Sequence, residues 1–185
     1  MAGIEPLRFL ETLWRYRLDY DRNTLDSPSY WRRIAAECGT AYSDKQICKL
    51  VEADIALWAH LDPNMLAWAH DLRKGGVRTA ILSNMPSDHA TYLRANAAWL
   101  NNFDHKVFSG EMGVVKPSPE IYLACLRGLG VRPEEALFID DVAANVEGGR
   151  ALGIESIRFE SVTQLVTEVR RFELPALFVG TPPVH

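Results

Sequence analysis

The sequence ALFIDDVAANVEGGRALG, residues 136–153, joins a short apolar run to two adjacent carboxylates and then to a segment with helical character. The apolar residues before Asp140 are too few for a helix, so they predict a buried strand, and the residues after Asp141 predict a helix that ends at Gly153. Open α/β sheets place their chemistry at such strand ends. Because adjacent carboxylates repel each other, the pair predicts a bound cation, most simply Mg²⁺, which prefers oxygen ligands.

The composition indicates a globular protein with neither a nucleic-acid nor a membrane partner. The 185 residues are 48% hydrophobic, and the net charge of -4 comes without a basic patch. The three cysteines are odd in number and unclustered, which predicts a reduced, cytoplasmic setting. The five histidines lack metal-ligand spacing, which argues against zinc. The first residues contain no long apolar run, which argues against a signal peptide or a membrane span.

The hydrophobic pattern changes near residue 61. Residues 1–61 predict three amphipathic helices in a small bundle, because their apolar residues recur three and four apart. Trp14, Trp31 and Trp58 are predicted to form the core of this bundle, and the alternative is that one or two of them line a substrate cleft. From residue 62 onward helices and strands alternate, which predicts a parallel sheet.

Polar residues follow three successive elements of the predicted sheet. Ser83 and Asn84 follow an apolar run, Lys116 follows a turn, and Asp140 and Asp141 end the strand described above. The ends of parallel strands meet at one crevice, so these side chains are expected to converge. A hydroxyl with backbone amides binds phosphoryl oxygens, a lysine neutralises developing charge, and paired carboxylates hold Mg²⁺. The pattern therefore predicts a site for an anionic substrate bridged by a metal.

The motifs built on these residues resemble those of the haloacid-dehalogenase (HAD) superfamily of hydrolases, in particular its phosphatase-like members with a helical cap. The similar segments are ILSN at 81–84, KPSPEIY at 116–122, and FIDD at 138–141 with Asn145 and Leu152-Gly153. The resemblance implies an α/β fold with a Rossmann-like parallel sheet. It also implies a helical cap over residues 1–61 and a HAD-like core over residues 62–185.

The same resemblance implies a role for each site residue. Ser83 and Asn84 would bind the substrate phosphate, and Lys116 would be the catalytic lysine that steadies the nucleophile and the phosphoryl oxygens. Asp140 and Asp141 would hold the Mg²⁺ cofactor.

The family's first motif, a strand that ends in a nucleophilic aspartate, has no counterpart in this sequence. Asp19 and Asp21 have a similar spacing, but residues 13–18 before them are too charged for a central buried strand, so both are interpreted as cap residues. The first, central strand is therefore expected to be absent. The apolar run Ala176-Leu177-Phe178-Val179 lacks an aspartate and would not restore the chemistry. An incomplete reading of the gene is the preferred explanation.

The leading hypothesis is a Mg²⁺-dependent phosphatase of a small phosphorylated metabolite that works through an aspartyl-phosphate. This chain is expected to be inactive, because the nucleophile is missing. One alternative is a non-catalytic HAD-like protein that binds phosphate or a partner. A second alternative is a haloacid dehalogenase, which by the resemblance uses the same aspartate without a metal. The expected partner is a small phosphorylated or anionic substrate, and the sequence defines neither its identity nor the oligomeric state.

Overall fold

The computed structural model describes residues 5–175, in which helices and short strands alternate after an all-helical beginning. The α-helices and strands are α1 (Pro6–Asp21), α2 (Ser27–Glu37), α3 (Asp44–Trp58), α4 (Pro63–Lys74), β1 (Ala80–Ser83), α5 (Ser87–Asn96), β2 (His105–Phe108), α6 (Ser109–Met112), α7 (Pro119–Leu129), β3 (Leu137–Asp140), α8 (Ala143–Arg150), β4 (Glu155–Arg158) and α9 (Val162–Val169). Short 3₁₀ helices cover Ala98–Asn102 and Pro133–Glu135. The predicted α/β class is confirmed. The apolar run Ala176–Val179 lies outside the described residues.

The chain forms two compact units. The first unit consists of the described part of Met1–His60, Ser83–Asn96 and Phe108–Val115, and the second of Leu61–Leu82, Ala97–Val107 and the described part of Lys116–His185. Helices α1, α2 and α3 all belong to the first unit. The predicted division into a cap over residues 1–61 and a core over residues 62–185 stays a prediction. Within residues 5–175, every helix is too short or too polar to cross a lipid bilayer.

Several helices begin where the sequence supplies a capping side chain. The Ser43 hydroxyl accepts from the Gln46 amide, while the Gln46 side chain accepts from the Ser43 amide, which forms a capping box at the start of α3. The Asp62 carboxylate accepts from the amides of Asn64 and Met65, and Pro63 occupies the first turn of α4. These local bonds satisfy amides that the helices leave without partners.

The first unit is built around stacked aromatic rings. The Tyr20 and Tyr30 rings lie parallel with their centroids 4.2 Å apart, and Trp31 packs edge-on against Tyr30 at 5.0 Å. Trp31 is only 3% exposed, as predicted for a core residue. Trp14 and Trp58 are 56% and 54% exposed, so the prediction that all three tryptophans form the core is wrong for these two. The spacing of large apolar residues identifies a helix face but does not distinguish a core from the wall of a cavity.

The second unit contains parallel strands covered by helices. Strands β3 and β4 pair in parallel, with Ile139 opposite Ile157, which confirms the predicted parallel arrangement for this pair. A hydrophobic cluster that includes Trp68, Leu72 and Leu165 packs around Ile157. Within residues 5–175, β1 pairs with β2 and β3 with β4 in two separate sheets. That a central strand is missing stays a prediction.

Helix α6 anchors the segment that follows Ser83 and Asn84. The Ser109 hydroxyl accepts from the Met85 amide at 2.9 Å, and the Gly110 amide donates to the Met85 carbonyl at 3.0 Å. A Cβ atom at Gly110 would lie 2.8 Å from the Met85 carbonyl oxygen and 2.7 Å from the Pro86 carbonyl carbon. Because glycine has no Cβ atom, the backbone at Gly110 can approach the backbone of Met85 and Pro86 this closely.

Substitution Gly110→Ala should therefore lower the free energy of unfolding by about 1–3 kcal/mol, because backbone atoms must move to admit the methyl group. Urea denaturation measures the change. Gly128→Ala is the matched control, since the atoms nearest its new Cβ belong to the flexible His105 side chain. Equal effects of the two substitutions would contradict the close approach at Gly110.

Candidate active site

Lys116 joins the carboxyl ends of two strands in the second unit. Its ammonium donates to the Leu82 carbonyl of β1 at 2.8 Å and to Asp140 Oδ2 of β3 at 2.6 Å. The side chains of Lys116 and Asp140 are 8% and 7% exposed. Leu82 directly precedes Ser83 in the chain. The predicted lysine and the first predicted carboxylate are therefore in contact, at strand ends that belong to different sheets.

The Asp140 carboxylate is held by two further donors. Its Oδ1 accepts from the Val142 amide and from Asn145 Nδ2, both at 2.9 Å. The Tyr122 hydroxyl donates to the Asn145 carbonyl at 2.7 Å, and burial, with a contribution from Asp140, raises the pKa of Tyr122 to about 12. Asn145 thus positions Asp140. Sequence reasoning noted Asn145 in the motif but assigned it no role, although its place in the first turn of α8 is the signal.

Asp141 faces solvent at the start of the turn into α8. Its side chain is exposed, and its backbone carbonyl accepts from Arg158 Nε at 3.4 Å. Within residues 5–175 no three His, Cys, Asp or Glu side chains converge as a metal cluster. Mg²⁺ usually keeps several waters and takes only one or two carboxylates from the protein, so Asp141 and the remaining lone pair on Asp140 Oδ2 fit that ion.

Ser83 and Asn84 line a cavity of about 190 Å³ in the first unit. Among the other residues around this cavity are Trp14, Arg17, Trp58 and His89. Ser83 ends β1, and Asn84 lies in the connection to α5. The predicted phosphate-binding residues therefore border a concave surface that already contains charged and aromatic side chains.

Arg17 forms a buried ionic cluster beside this cavity. Its Nε donates to Asp21 Oδ1 at 2.8 Å, and its Nη1 lies 3.2 Å from both oxygens of Asp54. His89 Nε2 is also 3.2 Å from Asp54 Oδ2, but its direction does not suit a hydrogen bond. Sequence reasoning missed this cluster. The available signal was the Arg17–Asp21 spacing of four on α1, in a segment noted only for being too charged to be a strand.

The two carboxyl groups of the cluster respond in opposite directions to the same buried environment. Burial raises the pKa of Asp21 and outweighs the attraction of Arg17. Burial also opposes ionisation of Asp54, but the contacts with His89 and Arg17 outweigh it and lower the pKa of that carboxyl group. Of the two carboxyl groups that contact Arg17, Asp54 is therefore the one whose ionised form the surroundings favour.

The family model of the haloacid dehalogenase-like hydrolases matches residues 8–153 of the sequence. The chain belongs to this family. The match confirms the resemblance recognised in the motifs, and it covers most of α1 as well as the Lys116 and Asp140 segments of this HAD-like hydrolase.

Curated relatives of this HAD-like hydrolase include enzymes with several activities. The chain is 31% identical over 124 residues to acyl-CoA dehydrogenase family member 10 of Mus musculus, which covers 65% of this chain and 11% of that protein. It is 26% identical over 144 residues to bifunctional epoxide hydrolase 2 of Rattus norvegicus, and the match covers 76% of this chain and 26% of that protein. It is 31% identical over 98 residues to phosphoserine phosphatase of Thermus thermophilus, and the match covers 52% of this chain and 39% of that protein. The chain thus spans only a minor part of each of these relatives.

Solved structures share the fold of this HAD-like hydrolase. A HAD family enzyme from Bacteroides thetaiotaomicron, in complex with magnesium and inorganic phosphate, superposes with a TM-score of 0.63 at 23% identity. The superposition covers 88% of this chain and 92% of that one. The structure of a predicted HAD-like family hydrolase from Porphyromonas gingivalis gives a TM-score of 0.67 at 20% identity, and the superposition covers 92% of each chain. These matches confirm the Rossmann-like, HAD-like fold.

Proposed function

We propose that this HAD-like hydrolase is the phosphate- and Mg²⁺-binding part of a phosphatase that acts on a small phosphorylated metabolite. The observation that carries the proposal is the buried Lys116 ammonium, which binds both the end of β1 and the Asp140 carboxylate. The Lys116 ammonium is hydrogen-bonded to the carbonyl of Leu82, the residue before Ser83, and it would neutralise charge on a phosphoryl group bound to Ser83. The phosphatases among the relatives, such as D-ribitol-5-phosphate phosphatase of Bacteroides thetaiotaomicron, support this substrate class.

Each predicted site residue has a distinct part in the proposed reaction. The Ser83 hydroxyl and the Asn84 side chain would bind phosphoryl oxygens, while Lys116 would hold the charge of the oxygens closest to Asp140. Asp141 and Asp140 Oδ2 would hold Mg²⁺. The ion, when bound, would act as a Lewis acid on a phosphoryl oxygen. Asn145 and the Val142 amide keep Asp140 in one orientation, which preorganises the site.

The proposed covalent step requires an aspartate other than Asp140. Among the strands within residues 5–175, only β3 ends in an aspartate, and three donors already engage that carboxylate. We therefore propose that the described strands bind the substrate and the ion but do not supply the attacking group. A non-catalytic phosphate-binding protein is the second candidate, and the same observation favours it.

Calorimetric titration and an activity assay together test the proposal. Inorganic phosphate should bind to the chain in the presence of MgCl₂, and each ligand should strengthen the binding of the other. Hydrolysis of an aryl phosphate with Mg²⁺ should be negligible for this chain and measurable for the product of any longer reading frame. Phosphate binding with no turnover in either form would favour the second candidate. Absence of phosphate binding would overturn both.

Substitution Asp141→Asn should weaken Mg²⁺ binding by about tenfold or more, because it removes a charged oxygen ligand that the fold does not use otherwise. Thermal unfolding of the metal-free protein should stay unchanged, since the Asp141 side chain is exposed. Asp71→Asn, which changes an exposed aspartate of α4, is the matched control. Calorimetric titration with MgCl₂ measures both variants, and equal affinities would remove Asp141 from the proposed ligand set.

A further inference from the structure

The cavity that contains Ser83 and Asn84 has two aromatic walls. Trp14 of α1 and Trp58 of α3 both line it, and their rings meet edge-on with centroids 6.3 Å apart. Each tryptophan is more than half exposed, although the chain has a well-packed aromatic core nearby in the same unit. These two large apolar side chains lie outside the hydrophobic core and line the same concave surface. They are therefore suited to contact a ligand.

The Trp58 ring is held in a fixed position. Its Nε1 donates to Asp54 Oδ1 at 3.0 Å, and the Arg17 guanidinium carbon lies 5.3 Å from the ring centroid. The ring therefore needs little reordering to accept a ligand, which lowers the entropic cost of binding. Ile55 and Leu93 extend the apolar lining of the same cavity.

The charges beside the cavity do not favour a second anionic group. The guanidinium of Arg17 is already paired, because the carboxyl groups of Asp21 and Asp54 both contact it. Arg17 is thus neutralised within the protein by these ion pairs. An anionic organic group would find no unpaired cation there and would be repelled by the ionised carboxylate of Asp54.

We propose that this cavity binds an aromatic or otherwise apolar organic group, so that the substrates are phosphate monoesters of uncharged aromatic or apolar alcohols rather than of alcohols that carry a carboxylate. Trp14 and Trp58 provide the contact surface, and Arg17, already paired with Asp21 and Asp54, offers no unpaired cation to a carboxylate. The phosphoryl end of this assignment rests on the proposed function, whereas the aromatic end rests on the cavity alone.

Calorimetric titration with 2-naphthol, which contains no phosphorus, tests the aromatic end. The unchanged chain should bind 2-naphthol, and Trp14→Ala should weaken the affinity about tenfold, the range expected for loss of an aromatic contact and its buried area. Trp14→Phe should restore most of the affinity. Leu7→Ala, an exposed apolar change on the same helix and outside the cavity lining, should have no effect. Equal weakening by Leu7→Ala, or no weakening by Trp14→Ala, would overturn the proposal.

A pair of phosphonates tests the selectivity. In the presence of MgCl₂, phenylphosphonate should bind at least about tenfold more tightly than phosphonoacetate, and Trp14→Ala should reduce this difference. Tighter binding of phosphonoacetate would overturn the assigned substrate class. If 2-naphthol binds as expected but phosphate and MgCl₂ do not, the proposed phosphatase fails and the aromatic cavity stands. If phosphate binds but 2-naphthol does not, the cavity assignment fails and the phosphatase stands.

Discussion

Substitution Lys116→Met should lower the free energy of unfolding by about 3–5 kcal/mol, the usual cost of removing one partner from a buried ion pair. The Lys116 and Asp140 side chains are both less than a tenth exposed, so the substitution leaves a buried carboxylate without its cationic partner. The Leu82 carbonyl would lose the same donor. Methionine keeps a similar apolar length, which separates the loss of charge from the loss of packing. Urea denaturation at neutral pH measures the change.

Two variants make this result specific to the ion pair. Lys74→Met removes an exposed lysine at the end of α4 and should change the stability by no more than about 0.5 kcal/mol. The double variant Lys116→Met/Asp140→Asn should recover much of the loss, because it leaves no unpaired charge buried. Simple addition of the two single effects would contradict the coupling, as would a loss below about 1 kcal/mol for Lys116→Met alone.

The position of the Lys116–Asp140 pair could be anticipated from sequence because each partner follows a local pattern. Asp140 ends a short apolar run, and a turn precedes Lys116. Parallel topology then brings strand ends together without any knowledge of side-chain geometry. Which oxygen of Asp140 each donor contacts could not be anticipated in this way. That Lys116 binds Oδ2 while Asn145 and Val142 occupy Oδ1 depends on rotamers and on the turn into α8, and no periodicity encodes these.

The cluster beside Trp58 could not be predicted in the same way, because its contacts are distant in sequence. Arg17 and Asp54 are 37 positions apart and lie on different helices. Their meeting depends on how α1 and α3 pack, which hydrophobic periodicity does not define. The same packing decides that Trp31 is buried while Trp58 is exposed. The sequence therefore predicted a helical bundle correctly. Its first assignment of Trp14 and Trp58 to the core is wrong, whereas the alternative, that one or two of the tryptophans line a cleft, agrees with their place in the cavity lining.

Substitution Asp54→Ala should lower the free energy of unfolding by about 3–5 kcal/mol at neutral pH, because it removes an ionised partner of a buried arginine. Asp54 accepts from Arg17 Nη1 through both oxygens and from Trp58 Nε1. Asp21→Asn is the matched comparison on the same guanidinium. Its cost should be below about 1 kcal/mol, since the amide oxygen of the introduced side chain would still accept from Arg17 Nε, and burial already disfavours the charge on Asp21.

The pH dependence separates the two carboxyl groups further. The pKa of Asp54 is lowered in the folded protein, so its ionised form adds stability above the ordinary carboxyl value of about 3.9, and this stability is lost as the pH falls through the lowered pKa. The difference in the free energy of unfolding between the unchanged protein and Asp54→Ala should therefore shrink toward pH 3.

The pKa of Asp21 is raised in the folded protein, so the stability that its protonated form adds is present at low pH and is lost as the pH rises through that pKa. Relative to the unchanged protein, Asp21→Asn should accordingly gain stability between pH 3 and pH 7. Urea denaturation at pH 3, 5 and 7 measures both trends, and parallel curves for the two variants would contradict the opposite pKa shifts.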